Sequence, residues 1–289
     1  MLTTQDILKK VRELEIKSKK LTNHLFTGEY HSAFKGKGMS FKEVKEYSAG
    51  DDVRFIDWNV SARLGGTYSK VFEEERELSV FLLVDVSASN FLGSELQAKK
   101  DLITEICALL AFSALTNNDK VGLIFFSGAV EKYIPLAKGR PHILYMMREL
   151  ILFKAQQTST NIVKALQFLN KITRQKSIVF VLSDFVDDGY QQALKVASKK
   201  HDLVGVKVYD TIDEHLPNVG LLQVADIETG NQQYIDTSDA LVRYKYHQQF
   251  LKIQADAKQA FKLAGADLIE LKTGEDYVKA LQHFFIKRA

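Results

Sequence analysis

Cysteine and proline are scarce in this chain, which has one cysteine and three prolines among 289 residues. One cysteine per chain excludes an internal disulfide framework and a cysteine-ligated zinc site. Cys107 lies in an apolar stretch typical of a buried helix, so we interpret it as a small core residue and not as a nucleophile. The sequence also contains no internal repeat and no low-complexity linker.

The chain also lacks a strong charge bias and a long apolar run. Its 39 basic and 36 acidic residues give a net charge of +3, whereas a dedicated nucleic-acid binder usually carries a large basic excess. No apolar run approaches the roughly 18 residues of a membrane span, and Met1–Asp6 does not open like a signal peptide. We therefore expect a cytoplasmic protein with no nucleic-acid partner and no membrane span, and leave association with a membrane partner open.

The pattern of apolar residues predicts an α/β fold. From Leu78 onward, apolar strand-like runs alternate with helical stretches, which favours a doubly wound, mostly parallel sheet flanked by helices. We predict an N-terminal helix and extension over 1–77 and the main domain over 78–289. Strands are expected at 78–85, 121–126, 177–182 and 203–208, with shorter edge strands at 129–135 and within 219–236. Helices are expected at 4–26 and near 95–116, 140–153, 161–173, 188–200, 239–264 and 275–287.

Oxygen-bearing side chains follow two of the predicted strands and precede one predicted helix. Ligands of an open parallel sheet bind beyond the carboxyl ends of its strands, so these side chains are expected to converge at one edge. In the loop before the helix at 161–173, the predicted ligand is Thr160, and Thr158 and Ser159 are alternatives to it. The predicted metal ligands are Asp85, Ser87, Ser89, Thr160 and Asp184.

Carboxylate and hydroxyl oxygens suit a hard divalent cation, above all Mg²⁺, with Mn²⁺ and Ca²⁺ as alternatives. Hydroxyl ligands are neutral, so the ion would keep unbalanced positive charge and attract a carboxylate from a partner. Taken singly, each residue also fits simple capping of a helix that follows a strand.

The order D-x-S-x-S, then Thr, then Asp resembles the metal-ion-dependent adhesion site of von Willebrand factor A domains. The resemblance places Asp85, Ser87 and Ser89 in its first loop, Thr160 in its second and Asp184 in its third. It implies a von Willebrand factor A-like, Rossmann-type fold.

A second resemblance extends over nearly the whole chain. The segments before and after the predicted metal loops are similar to a bacterial family called domain of unknown function fifty-eight. Its members often accompany MoxR-type AAA+ ATPases, which implies a partner or adaptor role in protein assembly or maturation. The segments that carry the resemblance are 28–32, 35–38, 50–58, Ala62-Arg63, 213–217 and 226–230, together with Phe41 and Tyr47.

Part of this second pattern is a dense cluster of opposite charges around a tryptophan. One interpretation is a structural network that pins the extension in place. The other is a docking surface for a partner, since arginine and tryptophan are common at interface hot spots. The residues of this mixed-charge cluster are Asp51, Asp52, Arg54, Asp57, Trp58 and Arg63.

The leading hypothesis is a non-enzymatic, metal-dependent interaction module that binds a MoxR-type AAA+ ATPase and a carboxylate of a client protein. One alternative is a Mg²⁺-dependent phosphoryl-transfer enzyme with Asp85 as nucleophile. The pattern of aspartate-based phosphatases requires a second carboxylate two residues after the nucleophile, and this chain has Ser87 at that position. The other alternative is a structural scaffold with a vestigial metal site.

Overall fold

A computed structural model describes residues 4–21, 40–73, 77–87, 96–225 and 232–288. The chain forms two compact units, one comprising Met1–Phe34 with Leu78–Ala289 and the other Lys35–Glu77. The strands, in chain order, are β1 (Ser40–Glu46), β2 (Tyr68–Glu73), β3 (Ser79–Asp85), β4 (Lys120–Phe126), β5 (Val130–Ala137), β6 (Ile178–Ser183), β7 (Asp202–Tyr209), β8 (Leu221–Ala225), β9 (Gln232–Asp236) and β10 (Asp267–Lys272). The α-helices are α1 (Thr4–Leu21), α2 (Trp58–Leu64), α3 (Leu96–Thr116), α4 (Arg140–Leu152), α5 (Ile162–Ile172), α6 (Gln191–Lys200), α7 (Thr211–Glu214), α8 (Ala240–Ala264) and α9 (Tyr277–Arg288).

The larger unit is built on a six-stranded sheet with the strand order β10-β7-β6-β3-β4-β5. Its first five strands run parallel, and β5 pairs antiparallel with β4 at one edge. Helices cover both faces, so the predicted α/β class and doubly wound, mostly parallel sheet are confirmed. The arrangement is consistent with a von Willebrand factor A-like, Rossmann-type fold.

Two details of the sheet differ from the prediction. The edge strand β10 was not predicted, and it pairs in parallel with β7. The strands expected within 219–236 form a separate antiparallel pair, β8 with β9, and not an edge of the main sheet. The sequence also predicts a turn at Thr229-Gly230-Asn231 between these two strands, and those residues lie outside the part of the chain that the structure describes.

The central strands divide their side chains between two cores. Val80, Leu82 and Val84 face the core that contains residues of α1, α3, α4 and α9. Phe81 and Leu83 face the opposite core, which contains residues of α5, α6 and α8. Because both faces are buried, strands β3, β4 and β6 appear in the sequence as continuous apolar runs without alternation.

Helix α1 belongs to the larger unit, although the sequence prediction grouped it with residues 28–77. Its Ile7 and Val11 contribute to the first core. Its buried Glu15 forms a two-pronged ion pair with Arg140 at 2.6 and 2.7 Å. Hydrogen bonds from Arg140 lower the pKa of Glu15 to about 2. Amphipathic periodicity predicts the helix but does not specify the surface against which it packs.

The smaller unit contains the antiparallel pair β1–β2 and the short helix α2. Asp57 caps the start of α2 by accepting hydrogen bonds from the amides of Asn59 and Val60. The helix ends at Gly65, whose φ of 73° is the left-handed conformation that favours glycine.

Candidate functional site

The register of the parallel sheet brings the ends of β3 and β6 together. Val84 pairs with Leu182 across these neighbouring strands. The next residues are Asp85 on β3 and Ser183 on β6, and Asp184 follows immediately. Two carboxylates therefore lie at one edge of the sheet, beyond the carboxyl ends of its strands. This is where open α/β sheets bind their ligands.

Asp85 lies at the centre of this edge and is 0% exposed. Its Oδ1 accepts a hydrogen bond from the backbone amide of Ser87 at 3.0 Å. Its Oδ2 accepts one from the Ser183 hydroxyl at 2.6 Å and a longer one from the Thr160 hydroxyl at 3.5 Å. The structure thus brings Asp85, Ser87 and Thr160 together from two separate loops.

Asp184 lies beside Asp85 and is 5% exposed. Burial raises the pKa of Asp85 to about 7, and the charge of Asp184 adds to this effect, while the Ser183 hydroxyl opposes it. A neighbouring carboxylate charge disfavours the ionised state of a buried carboxyl group such as that of Asp85. A cation bound between the two carboxylates would reverse that penalty.

The backbone after β6 turns sharply to present Asp184. Phe185 has a φ of 57°, in the left-handed region that few residues other than glycine adopt. The Ser183 hydroxyl accepts a hydrogen bond from the Phe185 amide at 3.0 Å, and Asp184 Oδ1 accepts one from the Val186 amide at 3.1 Å. These two hydrogen bonds fix the turn.

The loop that carries Thr160 is held at both ends. Asn161 accepts a hydrogen bond from the Lys164 amide and so caps α5, and its own amide donates to the carbonyl oxygen of Ser127 at 2.8 Å. Gly128 packs so closely against Gln157 and Ser159 that a side chain there would collide with both. These contacts position Thr160 towards Asp85.

Of the predicted metal ligands, Ser89 lies outside the described residues. The segments at 28–32 and 35–38, which carry part of the family resemblance, also lie outside them. Within the part of the chain that the structure describes, no cluster of three or more histidine, cysteine or carboxylate side chains could hold a metal ion. The candidate site therefore depends on two carboxylates supplemented by hydroxyl oxygens.

Ser183 and Lys207 belong to this site and were not predicted from the sequence. Lys207 is 2% exposed, and its ammonium donates to the backbone carbonyl oxygen of Asp184 at 2.7 Å. Burial lowers the pKa of Lys207, and the charge of Asp184 opposes that shift. The signals were present: Ser183 directly precedes Asp184, and Lys207 is the one charge inside the apolar run 203–208.

A second buried lysine lies near the same edge. Lys99 is 1% exposed and forms an ion pair with Asp213 at 2.5 Å. Asp213 also accepts a hydrogen bond from the Asp210 amide in the capping box of α7. The family-like segment at 213–217 thus begins with a residue that ties α7 to α3.

The acidic members of the mixed-charge cluster make local contacts within the smaller unit. Asp51 pairs with Lys45 at 2.8 Å, and Asp52 binds Arg54 through two guanidinium nitrogens. Asp57 caps α2 and lies 3.4 Å from Lys70. These contacts agree with a structural network inside this unit.

The remaining members of the cluster face outward. Arg54 and Arg63 are exposed, and the Trp58 side chain is 71% exposed. Val53 and Leu64 are also exposed, at 62% and 63%. Arginine and tryptophan are residue types that are common at interface hot spots.

The helices in the described parts of the chain include none that is both long and apolar enough to span a membrane.

Solved structures with a related arrangement include the conserved hypothetical protein BatB from Bacteroides thetaiotaomicron. Its sequence identity is 19%, its TM-score is 0.47, and the match covers 73% of this chain and 98% of that one. An aerotolerance-related membrane protein from Bacteroides fragilis matches at 16% identity and a TM-score of 0.45, over 73% of this chain and 98% of that chain.

Several relatives align by sequence. The uncharacterized protein Rv1480 of Mycobacterium tuberculosis is 26% identical over 281 residues, which cover 96% of this chain and 88% of the relative. The uncharacterized protein YeaD of Bacillus subtilis is 29% identical over 107 residues, 37% of this chain and 25% of the relative. The family model described as protein of unknown function DUF58 matches residues 43–256. The chain belongs to this DUF58 family.

Proposed function

We propose that this protein is a non-enzymatic, metal-dependent protein-interaction module. In this proposal, the oxygens at the ends of β3 and β6 hold a divalent cation, Mg²⁺ in the first place and Mn²⁺ or Ca²⁺ as alternatives. A partner carboxylate completes the coordination. The observation that carries the proposal is the convergence of Asp85, Ser87, Thr160 and Asp184 at one sheet edge.

The donor set fits a hard cation. It offers carboxylate and hydroxyl oxygens, which Mg²⁺ prefers, and Mg²⁺ commonly keeps positions for water or an external ligand. Burial and the charge of Asp184 disfavour the ionised form of Asp85 and raise its pKa, and a bound cation would offset that effect. Helix capping alone does not account for the arrangement, because Asp85 accepts its side-chain hydrogen bonds from two distant loops.

The residues at this edge give less support to phosphoryl transfer. Ser87 stands where the phosphatase pattern requires a second carboxylate. A vestigial scaffold would retain these hydrogen bonds but would not respond to metal.

We further propose a MoxR-type AAA+ ATPase as a partner, with the client protein supplying the carboxylate. The family resemblance in the sequence supports this choice, and the exposed Trp58, Arg54 and Arg63 provide a surface that suits a protein contact. In this proposal the ATPase contacts the mixed-charge cluster and the client binds at the metal edge, in the cytoplasm.

Capture experiments test the two contacts separately. The immobilised protein is incubated with lysate of its native host, in Mg²⁺ or in EDTA, and bound proteins are identified by mass spectrometry. We expect Asp85→Asn to abolish capture of clients in Mg²⁺, whereas Asp188→Asn, which changes a neighbouring exposed carboxylate, leaves it unchanged. Client capture that is equal with and without Mg²⁺ would contradict metal dependence.

The ATPase contact is tested with the purified MoxR-type ATPase encoded by the same genome. We expect Trp58→Ala to weaken its binding by at least tenfold, because exposed tryptophans at hot spots contribute about 2 kcal/mol or more. The matched control is Leu64→Ala, a substitution of another exposed apolar residue of α2, with a smaller expected loss. Binding that is unaffected by Trp58→Ala would contradict this assignment.

A further inference from the structure

A cavity of about 200 Å³ opens beside the candidate metal site. Val186, Tyr209, Phe250 and Ile253 form its largely apolar wall. The rings of Tyr209 and Phe250 contact each other with centroids 5.3 Å apart, and Phe250 is almost fully buried. The wall is therefore supported by core packing from β7 and α8.

The cavity is small for an organic cofactor. Binding pockets for drug-sized ligands are usually about 300–1,000 Å³, whereas an apolar cavity of about 150 Å³ suffices for benzene. A volume near 200 Å³ therefore matches one large aliphatic or aromatic side chain.

The rest of the cavity is lined by polar residues, namely Asp184, Lys207, Asp213, Tyr246 and Gln249. Asp184, a candidate metal ligand, is also part of the cavity wall. Lys207 lines the cavity as well. Among the described residues, its buried ammonium donates a hydrogen bond to the carbonyl oxygen of Asp184 and lies 5.8 Å from the centroid of the Phe250 ring. An ammonium can donate three hydrogen bonds, so Lys207 retains capacity for an acceptor oxygen on a ligand.

We infer that the cavity binds an apolar side chain of the partner segment whose carboxylate binds the metal. The occupant is thus an acidic peptide segment with a leucine-sized or aromatic residue close to its aspartate or glutamate. The Lys207 ammonium favours this acidic segment by charge and donates to one of its oxygens. The inference rests on the function proposed above, because the metal-bound carboxylate is what brings the apolar side chain to the cavity.

A random heptapeptide library displayed on phage tests the inference and requires no purified partner protein. Selection on the wild-type protein in Mg²⁺ is expected to enrich peptides with an acidic residue within two positions of Leu, Ile, Met or Phe. In a synthetic version of an enriched peptide, replacement of the apolar residue by Ala should weaken binding about fiftyfold, because about three buried methylene equivalents are lost.

Two variants separate the cavity from the metal site. Ile253→Trp fills the cavity and is expected to remove the apolar preference while the acidic preference and the Mg²⁺ dependence persist. Gln248→Trp, on an exposed neighbouring position of α8 that does not line the cavity, should behave like the wild type. Asp85→Asn should abolish all selection in Mg²⁺.

The outcomes distinguish this inference from the function on which it rests. An acidic consensus with no apolar preference, or an apolar preference unchanged in Ile253→Trp, would overturn the cavity assignment alone. Enrichment that is insensitive to EDTA, or the absence of any acidic enrichment, would overturn the metal-dependent function and this inference together.

Discussion

The hydroxyl of Ser183 donates a hydrogen bond of 2.6 Å to Oδ2 of Asp85 across the boundary between two parallel strands. The same hydroxyl oxygen accepts the hydrogen bond of the Phe185 amide. Ser183 therefore links the buried carboxylate of β3 to the turn that presents Asp184. This double role makes it a positioning residue of the candidate site.

Replacing Ser183 by alanine should destabilise the fold by about 1–3 kcal/mol. The substitution leaves a buried carboxylate without one donor and a buried amide without its acceptor, and unsatisfied buried groups carry a cost of this size. Urea denaturation measures the change in the free energy of unfolding. Ser238→Ala is the control, because Ser238 is exposed, and its expected effect is within about 0.5 kcal/mol. A stability of Ser183→Ala equal to wild type would contradict the assigned role.

Gly128→Ala should weaken divalent-cation binding because the added methyl group collides with side chains of Gln157 and Ser159. To relieve the contact, either the ends of these two side chains or the loop that carries them together with Thr160 must move. Isothermal titration with Mg²⁺ measures the effect, for which we expect a loss of tenfold or more.

A rescue and a control accompany this variant. The double variant Gly128→Ala with Ser159→Ala removes one of the two colliding atoms and should recover part of the affinity, because the contact with Gln157 remains. Gly66→Ala, where an added methyl group meets only ordinary contact, should leave it unchanged. Wild-type affinity in Gly128→Ala would show that the loop position is unimportant.

The ion pair between Lys99 and Asp213 should contribute to stability because the Lys99 side chain is buried. Lys99→Met removes the ion-pair partner of Asp213, whose side chain is 33% exposed, and we expect a loss of about 2 kcal/mol. Combining it with Asp213→Asn should recover part of that loss in urea denaturation. The exposed pair Lys279–Asp276 provides the control, because Lys279→Met should change stability by less than about 0.5 kcal/mol. Similar losses in both lysine variants would contradict the importance of burial.

Acid should destabilise the protein through His201. This residue is 2% exposed, its Nδ1 accepts from the Ser177 amide, and its Nε2 has no hydrogen-bond partner among the described residues. Burial, with a smaller effect from Lys200, lowers the pKa of His201 from 6.5 to about 4. Between these values the unfolded chain binds more protons than the folded one, so the free energy of unfolding falls as pH falls from 6.5 towards 4.

The contribution reaches about 3 kcal/mol near pH 4 and then levels off. The contribution is measured by comparing how the free energy of unfolding depends on pH in the wild type and in His201→Gln. The decrease between pH 6.5 and 4 that is due to His201 should be absent in the variant. His283→Gln, at an exposed position, should keep the wild-type slope. Parallel curves for wild type and His201→Gln would contradict the burial effect.

The parts of the fold that the sequence predicts well are those with a strong local pattern. Strands β3, β4 and β6 form uninterrupted apolar runs because helices cover both of their faces. Strand β10 was missed because it is short and follows α8 after a single turn, and only some of its side chains are buried. The strands β8 and β9 were predicted as an edge, since sequence alternation does not specify the partner of a strand.

In the candidate site, too, the sequence predicts some residues and misses others. The order of Asp85, Thr160 and Asp184 along the chain, together with the parallel sheet, was enough to predict their common edge. Ser183, Lys99 and Lys207 were missed because their role depends on contacts across the sheet between residues distant in sequence. Helix α1 packs on the larger unit through contacts between residues distant in sequence, such as Glu15 and Arg140, which are 125 positions apart.

The central claim is a divalent-cation site on Asp85, and thermal unfolding with saturating Mg²⁺ or with EDTA tests it most directly. A ligand that binds only the folded state stabilises it by about 2.7 kcal/mol at about 100 times its Kd, or roughly 5 °C in Tm for a chain of this size. We predict this increase for the wild type and for Asp188→Asn, and its absence in Asp85→Asn with a folded, cooperative transition retained. An unchanged wild-type Tm, or an equal increase in Asp85→Asn, would contradict the claim.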